Sequence, residues 1–346
     1  MARIVSEGLP ALAHSPPMSC PALRARLCAV LAALAALVFV PGAAAQGFTF
    51  ALIGDGPYGA SAVARFDRML EEINADREIA FVLHAGDIKS ASESCGDELL
   101  RARFAQLQQL RVPLVYTPGD NEWADCHVTA GGRFHPLERL AALRRVFFPN
   151  PHATTGGTTM PVETQADDPR HREFVENVRF VRNGIIFATL HAIGSGNDLD
   201  PWRGMGNDSK RRPRPERIAE FQRRENANLA WLDAAFDQAT RTGARGLVLL
   251  MQANPRFELS PGSADRAGFE ALATRLQHRA AAFRRPVLLL HGDFHVYVVD
   301  YPLDREDMVP RAPNLMRVQT FGAPFVGWVR IRVDPSDSKL FSVEAR

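Results

Sequence analysis

Residues 80–90 read AFVLHAGDIKS, an apolar, β-rich run that passes directly into an acidic turn at Asp87. The pattern recurs three times, because IGDG around Asp55, PGDNE around Asp120 and HGDFH around Asp293 also follow apolar runs. Open α/β sheets gather functional residues outside the carboxyl ends of their strands. Four carboxylates placed there would repel one another unless they took up protons or shared cations. The pattern therefore predicts a divalent-metal site.

Strand-like runs alternate with segments whose apolar residues recur at helical spacing, which is typical of the α/β class. Ser61 is predicted to cap one helix and Pro136 to begin another. The strand-like runs after His295 are not separated by helical segments. Mixed pairing is therefore expected near the C-terminus, with two sheets packed face to face rather than one wholly parallel sheet.

The N-terminal segment 1–45 has the features of a secretory signal. Arg24 and Arg26 precede an apolar run over residues 27–40, and three alanines at 43–45 offer a cleavage site. Met18 is an alternative start, since the residues before it do not resemble the short basic start of a signal. The apolar run is too short to span a bilayer, so no stable membrane insertion is expected after cleavage. We expect a secreted or periplasmic protein.

The mature chain is expected to be one domain over residues 46–346, with loop insertions near 150–172 and 195–215. Both insertions are rich in Gly, Pro, Thr and Asp and lack periodicity. The formal net charge of the whole chain is +2, and this excess lies within residues 1–45. A formally neutral mature domain gives no sign of a general attraction to nucleic acid.

Two cysteines, Cys95 and Cys126, remain after the predicted cleavage. They are expected either to join the Asp87 loop to the Asp120 loop through a disulfide or to be two separate thiols. Export favours the disulfide, because oxidising compartments preserve such bonds.

The order of the acidic turns resembles the motif order of the calcineurin-like metallophosphoesterases. The set GDIKS, PGDNEW and HGDFH is similar to a divergent, exported branch of that family. The resemblance implies a four-layer α/β/β/α sandwich of two mixed sheets flanked by helices. It also implies that Asp55 is a metal ligand, with Pro57 in place of the His that follows in the family, and that Asp87 is the carboxylate that bridges two metals.

The resemblance extends to the remaining ligands, although several letters differ. In PGDNEW, Asp120 matches a ligand Asn of the family and Asn121 its catalytic His, whereas a shift of one residue makes Asn121 the ligand. Gln252 stands in the place of a lone ligand His. In HGDFH, Asp293 replaces the first of two histidines and His295 matches the second.

These replacements exchange nitrogen donors for oxygen donors. Oxygen-rich sites favour hard cations, so we expect one or two divalent cations, with Mn²⁺, Mg²⁺ or Ca²⁺ favoured over Zn²⁺.

The mechanism that the resemblance implies is attack on phosphorus by a metal-activated hydroxide. Asn121 cannot donate a proton to the leaving group as the family's His does. His191 and His84 are candidate donors, although packed structural imidazoles are equally common beside strands, and Lys89 is a candidate for placing positive charge against the phosphate.

The expected function is an exported, metal-dependent phosphoesterase that hydrolyses a small phosphate mono- or diester. The alternative is a catalytically impaired, secreted module that binds metal or phosphate on the same fold. A nuclease finds little support in the neutral charge of the mature domain. The substrate and the oligomeric state are not determined by any motif.

Overall fold

A computed structural model describes residues 46–346. The predicted signal segment 1–45, with its cleavage site and the alternative start at Met18, lies outside the described residues. Within residues 46–346, no helix is both long enough and apolar enough to cross a membrane.

The described residues contain thirteen strands, which belong to two sheets. In chain order they are β1 Phe48–Ile53, β2 Ile79–His84, β3 Pro113–Tyr116, β4 Thr155–Gly156, β5 Glu163–Thr164, β6 Val178–Arg182, β7 Ile185–Thr189, β8 Gly246–Leu250, β9 Val287–His291, β10 Val298–Asp300, β11 Leu315–Gln319, β12 Val329–Val333 and β13 Phe341–Ala345. The first sheet has the order β13-β12-β1-β2-β3-β4, and the second has the order β10-β11-β9-β8-β7-β6-β5.

Both sheets are mixed, with parallel strands at the centre and antiparallel strands at the edges. In the first sheet β1, β2 and β3 are parallel, whereas β12, β13 and β4 pair antiparallel. In the second sheet β7, β8, β9 and β11 are parallel, whereas β5, β6 and β10 pair antiparallel. The carboxyl ends of the parallel strands therefore form a shared edge where a site can assemble.

Helices cover the outer face of each sheet. Those longer than two turns are α1 Ala60–Ala75, α2 Asp97–Leu107, α3 Pro136–Phe147, α4 Pro215–Arg241 and α5 Glu270–Phe283. Helices α1, α2 and α3 bury their apolar faces against the first sheet, and α4 and α5 bury theirs against the second. The expected four-layer α/β/β/α sandwich is confirmed.

Aromatic side chains fill the space between the two sheets. Phe50 of β1 and Phe81 of β2 stack with ring centroids 5.1 Å apart, and Phe187 of β7 meets both rings edge-on. The neighbouring residue Val82 points to the opposite face and packs with the helices. This alternation follows from the two-residue period of a strand, and burial on both faces explains why the central strands are continuously apolar.

The two predicted loop insertions differ in the structure. Residues 150–172 contain β4 and β5, which extend one edge of each sheet, and a 3-10 turn at Gln165–Asp167. Residues 195–215 are irregular, and even in the short turn Gly194–Asn197 the backbone angles of Ser195 and Gly196 are left-handed rather than α-helical. The strands in the first insertion are only two residues long, so they leave no periodicity in the sequence to detect.

A disulfide joins Cys95 to Cys126, so the first of the two expectations for these cysteines is confirmed. Cys95 precedes α2 in the segment after Asp87, and Cys126 lies in the 3-10 turn Ala124–His127 after Asp120. The bond therefore ties together two of the acidic turns.

Replacing both cysteines by serine should lower the free energy of unfolding by about 3–4 kcal/mol, because the bond closes a loop between residues 31 positions apart in the chain. Urea unfolding of the oxidised protein and of the double variant measures the difference. Wild-type protein treated with reductant is the control and should match the variant. Equal unfolding midpoints for the oxidised protein and the variant would contradict the prediction.

Candidate metal centre

The acidic turns meet at the carboxyl ends of the parallel strands. Asp55 follows β1, Asp87 follows β2 and Asp120 follows β3, while Gln252 and Asp293 follow β8 and β9 of the second sheet. The backbone N–H of Asp293 donates to the Asp55 carboxylate at 3.0 Å, and the N–H of Gly292 donates to the carbonyl of Gln252 at 3.0 Å. The first bond joins the two sheets at the site, and the second joins two neighbouring turns of the second sheet.

Three side chains converge closely enough to hold one ion. Asp55, Asp87 and His295 each offer a ligand atom, and these atoms all lie within 4.8 Å of one another. The Nδ1 of His295 lies 2.8 Å from the carbonyl oxygen of Ala323. Because a carbonyl only accepts, Nδ1 carries the hydrogen and Nε2 keeps a free lone pair. That Nε2 lies 3.8 Å from Oδ1 of Asp55.

The backbone of the turns is held in an uncommon conformation. Asp55, Asp87, Asp293 and His295 have φ angles of 50°, 58°, 85° and 59°. Non-glycine residues rarely occupy this left-handed region, and such strain concentrates at functional sites. In each case the strained residue is one that the sequence predicts to be a ligand.

The glycines of two motifs allow the carboxylates to approach neighbouring turns. A Cβ on Gly119 would lie 2.1 Å from Oδ1 of Asp87, and a Cβ on Gly292 would lie 2.2 Å from Oδ2 of Asp55. Any larger residue at either position would displace the carboxylate beside it. The Gly-Asp pairs therefore serve two turns at once, since the Gly of one motif makes room for the Asp of another.

Asp87 is surrounded by hydrogen-bond donors. Its Oδ1 accepts the backbone N–H of Asn121 at 3.2 Å, and its Oδ2 accepts Nδ2 of Asn121 at 2.8 Å and the hydroxyl of Tyr58 at 3.0 Å. Nδ2 of Asn121 also donates to the Tyr58 hydroxyl at 2.9 Å. Asn121 thus presents its amide nitrogen to Asp87, and its ligand role stays a prediction.

Gln252, like Asn121, presents its amide nitrogen to Asp87. Its Oε1 accepts the backbone N–H of Gly194 at 2.6 Å, and its Nε2 donates to Oδ2 of Asp87 at 3.3 Å. The amide oxygen, which a cation would require, is occupied by the backbone in this arrangement. In this arrangement Gln252 acts as a hydrogen-bonding partner of Asp87 and Gly194, and its ligand role stays a prediction.

Glu122, the acidic neighbour in PGDNEW, holds the turns rather than reaching outward. Its Oε1 accepts the backbone N–H groups of Asp87 and Gly119 at 3.1 and 2.7 Å and the hydroxyl of Tyr116 at 2.6 Å. The side chain is fully buried. Glu122 thereby fixes the Asp87 turn against the Asp120 turn.

Asp120 and Asp293 lie at the edges of the three-residue group. Oδ2 of Asp120 lies 2.9 Å from Oγ of Ser195, which also lies 2.7 Å from Oδ1 of Asp125. Oδ2 of Asp293 accepts the backbone N–H of Asn254 at 3.1 Å. The structure brings both predicted ligands to the site, and their coordination of a cation stays a prediction.

The electrostatics of the site favour a bound cation. The pKa is raised above its usual value for five carboxyl groups, those of Asp55, Asp87, Asp120, Asp125 and Asp293. Burial is the largest cause in each case, because removal from water disfavours the charged form. Repulsion adds to it, since Asp120 raises the pKa of Asp87 and Asp125 raises that of Asp120.

The residues present fit a divalent cation. Among residues 46–346, none of these five carboxylates lies within 4.0 Å of a lysine or arginine nitrogen. The contact that comes closest to an ion pair is between Nε2 of His295 and Oδ1 of Asp55, at 3.8 Å. Burial also lowers the pKa of His295, which keeps the imidazole neutral and able to coordinate. A cluster of buried anions beside one neutral imidazole is a donor set that a divalent cation would neutralise.

The two predicted proton donors are sealed inside the protein. His84 and His191 are fully buried. Nδ1 of His84 accepts the backbone N–H of Gly86, and burial lowers the pKa of His84 to about 3. Nδ1 of His191 lies 2.7 Å from Oε1 of Glu176, and burial lowers the pKa of His191 as well. The geometry does not support either histidine as a donor to a leaving group, because a substrate cannot reach them.

Lys89 is also placed differently from the expectation. Its side chain is fully buried, and Nζ donates to the carbonyl of Ser90 at 2.9 Å. Burial lowers the pKa of Lys89, against the attraction of Glu122 and Asp87. Its charge therefore acts within the protein rather than against a phosphate in solvent.

Sequence reasoning missed three side chains that shape the site. Tyr58 contacts Asp87 and Asn121, Ser195 contacts Asp120, and Arg256 lies over the ring of Phe294. Tyr58 follows Asp55 by only three positions, so its place in the first turn was a usable signal. Ser195 and Arg256 lie in irregular segments, and no motif marks them.

No family model and no curated protein matches the chain. Solved structures do match it, among them PhoD, with a TM-score of 0.49 and 15% identity over 85% of this chain and 65% of PhoD. TT1561 of Thermus thermophilus has a TM-score of 0.42 and 11% identity over 87% of this chain and 99% of its own.

GAP50, the anchor in the inner membrane complex of Plasmodium, has a TM-score of 0.42 and 11% identity over 86% of this chain and 88% of its own. The match to PhoD spans a little less than two thirds of the length of PhoD. Likenesses at these TM-scores carry no conclusion about activity.

Asp293→Asn should make the metal-free protein more stable relative to wild type as the pH rises from about 4 to above 6. Burial raises the pKa of Asp293 from 3.8 to about 6, so the folded wild type binds more protons than the unfolded chain across this window. The stabilisation that Asp293 contributes to the wild type is complete below the pKa of the unfolded state, and it is lost as the pH rises through the pKa of the folded state. The relative gain should be about 1–3 kcal/mol, since one pKa unit corresponds to about 1.4 kcal/mol.

Urea unfolding in EDTA at a series of pH values measures this difference. The comparison with the variant is necessary because buried His84 and His291, whose pKa values burial lowers to about 3, act in the opposite direction. Adding Mn²⁺ should remove the advantage of the variant. A difference between the two proteins that stays constant with pH would contradict the prediction.

Proposed function

We propose that this protein is a metal-dependent hydrolase of phosphate esters that acts after export. The observation that carries the proposal is the convergence of Asp55, Asp87 and His295 within 4.8 Å, among carboxylates whose pKa values are raised by burial. Sites of this composition at the carboxyl ends of parallel strands are suited to binding a cation and an anionic ligand together. The motif resemblance supplies the reaction class.

The proposed cofactor is one or two hard divalent cations. Two carboxylates and one imidazole form the closest group, and further carboxylate oxygens at Asp120 and Asp293 lie at its edges. This excess of oxygen donors supports Mn²⁺, Mg²⁺ or Ca²⁺ over Zn²⁺.

A bound divalent cation would neutralise phosphate charge and lower the pKa of water at the site. The residues of the chain would position the ester around it. Tyr58 is partly exposed, and its hydroxyl together with Nδ2 of Asn121 is aimed at Oδ2 of Asp87. Asp87 would help to hold a cation, and the Tyr58 hydroxyl and the Asn121 amide beside it would then be available to donate to a phosphate oxygen.

The proposal includes a preference for esters with good leaving groups. Asn121 carries no acidic proton, and His84 and His191 are fully buried. Nδ1 of His295 is bonded to the carbonyl of Ala323, and its Nε2 faces the carboxylates. Since none of these groups reaches a leaving oxygen as an acid, departure should depend on the leaving group's own pKa.

Export is supported by the disulfide between Cys95 and Cys126, a bond that persists in oxidising compartments. The sequence of residues 1–45 supports it independently, although that segment lies outside the described residues.

Protein stripped with EDTA and reloaded with Mn²⁺ should hydrolyse p-nitrophenyl phosphate, its bis ester, or both. Asp87→Asn should lower kcat/KM by roughly 10²–10³-fold, the range for losing one group that stabilises the transition state. Asp307→Asn, at an exposed position, is the matched control and should leave the rate unchanged. Across a series of aryl phosphates, the rate should fall steeply as the leaving-group pKa rises.

One outcome would favour the binding-module alternative over the enzyme. Calorimetry that shows stoichiometric Mn²⁺ binding, combined with no hydrolysis of any ester in a wide panel, would identify a secreted metal- or phosphate-binding module. Absence of binding for Mn²⁺, Mg²⁺ and Ca²⁺ would contradict both proposals.

A further inference from the structure

Arg256 lies at the rim of the candidate metal centre. Its guanidinium lies over the ring of Phe294, with 4.3 Å between the guanidinium carbon and the ring centroid. Phe294 separates Asp293 from His295 in the chain, and its side chain is exposed. The stacked pair therefore stands where the site opens to solvent.

The guanidinium of Arg256 has unused hydrogen-bond donors. Its Nε–H is buried and finds no partner among the described residues. Glu258, two residues further along the same loop, is already engaged, because it lies 3.2 Å from the guanidinium of Arg317. A buried donor without a partner is costly, and an anionic ligand bound at the rim of the site would supply the missing acceptor.

The backbone holds Arg256 at this place. Arg256 has a φ of 59°, and its N–H donates to Oδ1 of Asn254 at 2.9 Å. The N–H of Asn254 in turn donates to the carboxylate of Asp293 at 3.1 Å. The loop after β8 is thereby anchored to the site, and a left-handed arginine is a strained conformation of the kind found at ligand-binding positions.

A positively charged side chain at the rim of this acidic centre would help an anionic substrate to approach it. Besides Asp55, Asp87 and Asp293, the neighbouring Asp120 and Asp125 add carboxylates that meet at the hydroxyl of Ser195, so the centre is strongly acidic. A phosphate ester approaching the centre is itself an anion. Arg256 is bonded through Asn254 to the carboxylate of Asp293, so its charge lies beside this centre.

We propose that Arg256, positioned by Phe294, binds a non-esterified oxygen of the substrate phosphate at the rim of the metal centre. The planar guanidinium suits this role because it donates in parallel to two oxygens of one phosphate group. A monoester carries one more anionic oxygen than a diester, so the arrangement selects phosphate monoesters. This inference rests on the proposed phosphoesterase function.

The test is calorimetric titration of inorganic phosphate into the Mn²⁺-loaded protein and into the Arg256→Gln variant. The variant should bind phosphate about tenfold to a hundredfold more weakly, the range for losing a charge-assisted hydrogen bond. The variant should still bind Mn²⁺ stoichiometrically and no more weakly than wild type, because the substitution removes a positive charge beside the carboxylates, and its unfolding midpoint should be similar. An unchanged phosphate affinity would overturn the proposal.

The chain offers a matched control in Arg182. That guanidinium also lies over aromatic rings, 5.2 Å from Phe48 and 5.7 Å from Phe81, and its Nε–H also lacks a partner among residues 46–346. Arg182 pairs with Ile185, the first residue of β7, and so lies at the opposite end of the parallel strands from the site. Arg182→Gln should leave phosphate affinity unchanged, and an equal loss there would overturn the assignment to Arg256.

Phe294→Leu tests the positioning part of the inference. The variant keeps the charge of Arg256 but removes its aromatic platform, so phosphate affinity should fall by less than in Arg256→Gln. Affinity equal to that of wild type would overturn the role of the ring.

Kinetics separate this inference from the proposed function. Arg256→Gln should lower kcat/KM more for p-nitrophenyl phosphate than for the bis ester, and equal losses would overturn the selection of monoesters. If the wild type hydrolyses neither ester, the proposed function fails, while phosphate titration of the same proteins still decides whether Arg256 binds phosphate.

Discussion

Repulsion between buried carboxylates is the constraint on which the site depends. Asp55, Asp87 and Asp120 stand at the ends of three parallel strands and are almost fully removed from water. Burial and mutual repulsion raise their pKa values. Such a group is tolerated only where donors, protons or cations offset the charge. The backbone N–H groups of Asp293 and Asn121 supply part of that offset, and a divalent cation would supply the larger part.

The two sheets meet this constraint together. The first contributes Asp55, Asp87 and Asp120, and the second contributes Gln252, Asp293 and the loop that carries His295. Neither sheet alone provides the closest group of candidate ligands. Asp55 and Asp87 come from the first sheet, and His295 comes from the second. The packing of Phe81 of the first sheet against Phe187 of the second holds the two sheets together in the core, away from the candidate metal centre.

Prediction from sequence succeeded where local pattern decides structure. Pro136 begins α3 as expected, since a proline fits the first turn of a helix. Ser61 does not cap α1, because that helix already begins at Ala60, after Gly59 and without a side-chain cap. The two-residue strands β4 and β5 depend on edge pairing with distant strands, which no local window contains.

The sequence by itself determined the α/β class, the two mixed sheets and the turns in which the carboxylates stand, because apolar periodicity and Gly-Asp turns are local properties. Only the tertiary structure decided what each polar side chain faces. It turned the amide nitrogen of Gln252 toward Asp87, sealed His191 against Glu176 and set Arg256 on Phe294. Those orientations arise where loops from separate strands meet, and the spacing of residues along the chain does not encode such encounters.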